Sequence, residues 1–175
     1  MEPTPAAALP DSGLYHETQH LYRCGIHALN NALQGRVFTK ADLDRACEQL
    51  ATISNPSASA VTSWAWNPHR APLGLGNYDV NALMFVLEEK GYKLQWMDKR
   101  KPVSKEALDL DHVEAVLVNV VLSSGFLRAL FEQRHWFAIR KINGVVYNLD
   151  SKLGAPMSFP TEPSCYEFLQ QLVDT

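Results

Sequence analysis

At 175 residues the chain is long enough for one domain that buries its own core without disulfide or metal staples. Its 46% apolar content is ordinary, no run approaches the roughly 18 apolar residues of a membrane span, and three irregularly spaced cysteines form neither a disulfide framework nor a CxxC metal site. The formal net charge of −3 and a largest basic cluster, Lys99-Arg100-Lys101, without interleaved aromatics exclude a nucleic-acid footprint. The expectation is a soluble, intracellular, cytoplasmic protein with free thiols and no cofactor.

Residues 1–13, rich in Pro and Ala without periodicity, read as a flexible N-terminal tail, so the folded domain is expected to span 14–175. From Cys24, the apolar Ile26, Leu29 and Leu33 recur at helical spacing, Asn30, Asn31 and Gln34 take other faces, and Gly35 supplies the stop. Thr39 and Asp42 resemble a capping box for a second helix with a Leu43, Ala46, Cys47, Leu50 stripe, which makes Cys47 a core residue. Between Ser54 and Arg70 the pattern dissolves around Trp64 and Trp66, and a Gly74, Gly76, Asn77 loop follows. A third helix is predicted from about Asp79 to Lys90, burying Val80, Leu83, Met84 and Leu87 and closing at Gly91.

The second half changes period. Tyr92 to Met97 alternates like a half-buried strand, and Ala115 to Val121 is a Val-rich run suited to a buried one. His135 to Ile142 and Val145 to Asp150 flank Asn143-Gly144, the pair favoured in a type I′ hairpin turn. A last helix is predicted over Cys165 to Val173, with Phe168, Leu169 and Leu172 facing inward and Cys165 structural. Helices first and an antiparallel sheet second give an α+β fold, with the N-terminal helices packed on the C-terminal sheet.

The chemistry sits in four residues. Cys24 opens a helix, and a helix N-terminus with a nearby imidazole both deprotonates a thiol and stabilises the thiolate. Gln19, five residues earlier, offers an amide donor for an oxyanion. If Asn143 and Gly144 are the two loop residues, His135 falls opposite Lys152, and Asp150 projects on the same face as His135, on its diagonal. That diagonal is roughly 7 to 8 Å between backbones, within reach of an imidazole and a carboxylate. Ser151 points the other way. Asp150 is expected to hold the imidazole tautomer through Nδ1 and to stabilise the imidazolium.

Rival readings are weaker. His27 lies three residues after Cys24 on the same helix face but has no evident orienting carboxylate, so it reads as a structural or supporting histidine. Cys24 and His27 lack a matching second pair for zinc. His16, His20, His69 and His112 have no partner pattern and read as surface or loop residues, and Gly74-Leu75-Gly76 is a turn.

Tyr15-His16-Glu17-Thr18-Gln19, the Cys24 to Gln34 segment with His27-Ala28-Leu29-Asn30-Asn31, Gly76-Asn77-Tyr78-Asp79-Val80-Asn81, and His135-Trp136 through Tyr147-Asn148-Leu149-Asp150-Ser151 resemble a Josephin domain of the Josephin-only type. The resemblance runs from about Tyr15 to the end of the chain. It implies a papain-like cysteine deubiquitinase: Cys24 as nucleophile, His135 as general base, Asp150 as orienter and Gln19 as oxyanion donor. The implied reaction is hydrolysis of isopeptide or peptide bonds at the C-terminal glycine of ubiquitin, with ubiquitin and its conjugates as partners. Trp136, Trp64 and Trp66 are then candidate substrate contacts, with simple packing as the alternative. Two departures stand out: Ser54 to Trp66 is longer than the corresponding Josephin-only stretch, and the chain ends at Thr175 where the family usually adds another hydrophobic strand, so one sheet edge is expected to lack it. The competing functions are a ubiquitin-binding module with an idle cysteine and a cysteine peptidase of another substrate class.

Overall fold

The computed structural model describes residues 13–19, 23–57, 67–70, 78–122 and 133–175. Residues 1–12 of the tail, His20, Trp64, Trp66 and the Gly74 to Asn77 loop lie outside the described residues.

Helix α1, Cys24–Ala32, starts where the spacing predicts it and is buried on nearly every side. Its stop differs from the expectation. The left-handed backbone is taken by Gln34 at φ 55°, not by Gly35. A side chain there costs about 1–2 kcal/mol, and three bonds offset it: Gln34 Oε1 accepts from Tyr15 N at 3.0 Å, and Nε2 donates to Tyr15 O and Asn31 O at 3.1 and 2.7 Å. Gln34 thereby fastens the Tyr15 segment to the end of α1.

Helix α2, Lys40–Ser54, carries the predicted Thr39–Asp42 capping box and buries Leu43, Ala46 and Cys47. Helix α3, Val80–Glu89, is capped by Asp79, whose Oδ1 accepts from Ala82 N at 3.0 Å. Its buried face is Ala82, Leu83, Val86 and Leu87, with Val80 and Met84 only half-buried. Six of the first eight α3 residues, VNALMFVL, are large and apolar, so periodicity alone could not select the face. Beyond Gly91 at φ 81°, Tyr92 to Met97 is extended but joins no strand among the described residues. Leu94 and Met97 turn inward while Trp96 is 66% exposed. Alternation there reports half-burial; a strand also needs a partner edge, and this segment has none among the described residues.

The sheet is β1 Val116–Leu122, β2 Gln133–Ile142, β3 Val145–Asn148 and β4 Met157–Ser158, antiparallel in the order β1-β2-β3-β4. The turn forms as predicted, with Asn143 at φ 50° and Gly144 at φ 82°, the paired left-handed conformations of a type I′ hairpin. Ile142 pairs with Val145 and Ile139 with Asn148, the anticipated register. Helix α4, Glu162–Val173, begins before Cys165 because Thr161 and Ser164 form a capping box and Pro163 occupies the first turn.

Alternation along β2 separates two cores. Trp136 joins Cys24, Leu29, Leu43, Leu83 and Val86 beneath α1, α2 and α3, and Ala138 packs with Ala32 and Leu149. Phe137 and Ile139 face Val146, Phe159, Cys165 and Leu169 beneath α4. Cys47 and Cys165 are fully buried, and burial pushes their thiols up to about 12 and about 11, which makes both inert packing residues.

Candidate active site

Helix α1 begins without a capping side chain: Arg23, the residue before it, offers none, and no acidic residue occupies the first turn. The sulfur of Cys24 sits at that positive helix end instead. Burial alone raises the thiol pKa, but hydrogen bonding to His135 and to the backbone of Trp136 and Gly25 outweighs it and holds the thiol below its usual range. Gly25 permits this proximity, since a Cβ there would meet Leu83 Cδ2 at 3.2 Å and Trp136 Cδ1 at 3.8 Å. The Cys24 thiol therefore ionises more readily than those of Cys47 and Cys165, which burial pushes up.

His135 lies near the start of β2, 2% exposed, with its ring stacked 6.1 Å from that of Phe137. Its Nε2 donates to Asp150 Oδ1 at 2.7 Å. Burial lowers the imidazole pKa, but the bonds to Asp150 and Cys24 prevail and raise it to about 9. Asp150 is held below the ordinary carboxylate range against burial by His135 and by the Lys152 N–H, which donates to Oδ1 at 2.8 Å. The hairpin register thus delivers the carboxylate as expected, although the hydrogen-bonded ladder stops one step short, at Leu149 N to Ala138 O.

The ring is used the other way round from the expectation. Asp150 takes Nε2, which leaves Nδ1 for the thiol. The reason is depth: Cys24 is also bonded to the backbone of Trp136, so the sulfur lies close to the strand and meets the backbone-proximal nitrogen, whereas Asp150 comes from beyond the ladder and meets the distal one.

Three residues that the sequence reading passed over brace this arrangement. Asn31, fully buried on α1, accepts from Glu17 N at 2.6 Å and donates to Glu17 O at 3.2 Å and Leu149 O at 2.9 Å. One side chain so ties the helix of Cys24 to the segment of Gln19 and to the strand end before Asp150. His16, expected at the surface, is 3% exposed, and because a carbonyl only accepts, its Nε2–H donates to Asp150 O at 3.1 Å. Burial lowers its pKa and keeps it neutral. Glu17 supplies the carboxylate that His27 was thought to lack, at 2.6 Å from His27 Nδ1, and also accepts from Asn30 Nδ2 at 3.0 Å and from the Tyr15 hydroxyl. Those bonds hold Glu17 ionised against burial. The signal was available in Asn30-Asn31: two amides inside a short helix that is buried all round require partners. Asn31→Ala is expected to lower stability by about 2–4 kcal/mol, because it strands up to three main-chain groups, and to reduce turnover of the folded fraction; denaturant midpoints with initial rates check both.

Gln19 reaches the site through its main chain, its N–H donating to Ser151 O at 2.6 Å. A cleft of about 380 Å³ opens there between Thr18-Gln19 and Ser151 to Gly154. Trp136 is 5% exposed in the core, its indole N–H donating to Tyr78 O at 3.3 Å, so it packs beneath Cys24. His69 bonds Asp79, and His112 bonds Asp109 at the surface. Among the described residues no cluster of His, Cys, Asp and Glu could hold a metal, and no helix is long and apolar enough to cross a membrane.

A thiol at the head of a buried helix, facing an imidazole and an acid from an antiparallel sheet, defines a papain-like α+β fold. Within that class the chain belongs to the Josephin family, whose pattern matches residues 19–175. It is 40% identical over 171 residues to Josephin-2 of Homo sapiens, covering 97% of this chain and 85% of that protein. It is also 40% identical over 161 residues to a Josephin-like protein of Drosophila melanogaster, covering 90% of this chain and 67% of the fly protein. A Josephin-like protein of Arabidopsis thaliana is 40% identical over 166 residues, 92% of this chain but 45% of its own length.

Proposed function

We propose that the protein is a cysteine-type deubiquitinase that hydrolyses isopeptide or peptide bonds at the C-terminal glycine of ubiquitin, with Cys24, His135 and Asp150 as its triad. The observation that carries this reading is the 2.7 Å bond from His135 Nε2 to Asp150 Oδ1, with the Cys24 thiol at the head of α1 held below its usual range by His135. Membership of the Josephin family supports the substrate.

On this reading the Cys24 thiolate attacks the glycine carbonyl carbon, and the Cys24 N–H and the Gln19 amide receive the oxyanion. The tetrahedral intermediate collapses with scission of the C–N bond, and the imidazolium of His135 gives its proton to the departing amine. Water then attacks the thioester, His135 takes its proton, and the C–S bond breaks to return thiolate, imidazolium and a free ubiquitin carboxylate. Asp150 stabilises the imidazolium through Nε2, and no metal is called upon. Trp136 supports the channel from beneath, and Trp64 and Trp66 are proposed as apolar contacts to ubiquitin.

A ubiquitin carrying a C-terminal propargyl amide tests the assignment. One covalent adduct is expected, mapped by mass spectrometry to Cys24 and to neither Cys47 nor Cys165. Tight reversible binding with no adduct would instead establish a ubiquitin-binding module with an idle thiol.

A further inference from the structure

The cleft beside the triad has a position and a charge that the reaction alone does not explain. Among the described residues it is lined by Thr18-Gln19 from one segment and by Ser151, Lys152, Leu153 and Gly154 from a second, and the 2.6 Å bond from Gln19 N to Ser151 O joins the two segments. The second segment follows directly from Asp150, and the Lys152 N–H is itself bonded to Asp150 Oδ1. In space the order is sulfur, imidazole, carboxylate, then this segment.

That order assigns a direction to the substrate. In the tetrahedral intermediate the oxyanion lies toward its donors, and the amine that takes the proton lies on the imidazole side of the sulfur. Whatever is attached to that amine must continue past the imidazole and carboxylate, which leads it into the cleft, while the acyl chain leaves on the opposite side. The volume, about 380 Å³, falls within the roughly 300–1,000 Å³ of ligand pockets and admits a lysine side chain with its flanking backbone.

Among the described residues that line the cleft, Lys152 carries the one formal charge. Its side chain is exposed, its ammonium makes no contact ion pair among the described residues, and the carboxylate two residues before it is engaged by His135. An exposed cation at the mouth, whose charge also acts on Asp150, favours a leaving chain with negative charge near its lysine and disfavours one with positive charge.

We propose that this cleft is the leaving-group subsite and that Lys152 makes it favour acceptor lysines flanked by acidic residues. The inference rests on the hydrolase reading above and deepens it by naming the chemistry of the second product.

Ubiquitin joined through an isopeptide bond to lysine peptides with Asp or with Arg neighbours separates the possibilities, with a ubiquitin ethyl ester as a small-leaving-group reference. At low salt the Asp peptide is expected to be cleaved roughly two- to five-fold faster in kcat/KM than the Arg peptide, the size of one surface charge pair, and the preference should shrink as salt screens it. Lys152→Met should level the ratio and Lys152→Glu invert it. Gly154 has open space where a Cβ would stand and needs no special backbone angle, so Gly154→Trp should slow both peptide conjugates more than the ester. Equal ratios in all three Lys152 forms, or a Gly154→Trp effect identical for ester and peptide, overturns the proposal while leaving the hydrolase reading intact. Absence of both turnover and Cys24 adduct in the parent overturns the hydrolase reading and this inference with it.

Discussion

Replacing His135 with alanine is expected to lower kcat for ubiquitin-tail hydrolysis by roughly 10³- to 10⁴-fold, in a protein that remains folded. Two losses combine. The leaving amine has no proton donor, and the thiol loses the hydrogen bond and positive charge that oppose its burial. Cys24 then shifts up toward the range of a buried thiol, as at Cys47 and Cys165, so capture by the propargyl probe should become slow at neutral pH and accelerate as the pH rises. His27→Ala should behave differently. Its ring is bonded to Glu17, and its removal leaves a buried carboxylate one partner short, which costs about 1–3 kcal/mol of stability while the pH dependence of turnover keeps its shape. A folded but inactive His27→Ala variant beside an active His135→Ala variant would reverse the assignment of the base.

What could be read from the residues alone was whatever short-range geometry dictates. Asn143-Gly144 specified a two-residue turn, the turn specified the register, and the register placed Asp150 on the face of His135, 15 residues away in sequence. Thr39-Asp42 specified a helix start by the same local logic. The failures share the opposite character, since each depended on a partner that the local pattern does not contain. Tyr92 to Met97 had strand-like alternation but pairs with no strand among the described residues. Gly35 was the better left-handed residue in isolation, yet Gln34 took that conformation because two bonds to Tyr15, 19 residues away in sequence, add to a local one to Asn31 O and offset its strain. Asn30-Asn31 signalled that partners were needed but not which ones: Asn31 and His16 bond main-chain groups, identical at every residue, and the side chains that meet on Glu17, those of Tyr15, His27 and Asn30, converge only in the fold. The inverted use of the imidazole belongs here too, for it follows from how deep Cys24 sits against β2, a packing fact rather than a spacing one.

Asp150→Asn discriminates between a carboxylate that only orients the ring and one that also sets its charge. The amide oxygen can still accept from Nε2–H, so Nδ1 should remain aimed at the thiol and the protein should stay active. The bond changes from charge-assisted to neutral, a difference of about 1 kcal/mol, which corresponds to a loss of roughly five- to ten-fold in kcat/KM at the optimum. The pH profile carries the sharper signature. In the parent, activity should rise as Cys24 ionises below the usual thiol range and fall as His135 loses its proton near pH 9. Since the bond to Asp150 is the largest influence raising His135, removing the negative charge lets burial pull the imidazole down, and the alkaline limb should move toward neutral pH. Asp150→Ala removes orientation as well, and should cost roughly 10²-fold or more with the same direction of shift. An alkaline limb that stays near pH 9 in both variants would mean that the imidazolium is held by the thiolate alone, and that Asp150 contributes packing to this site rather than charge.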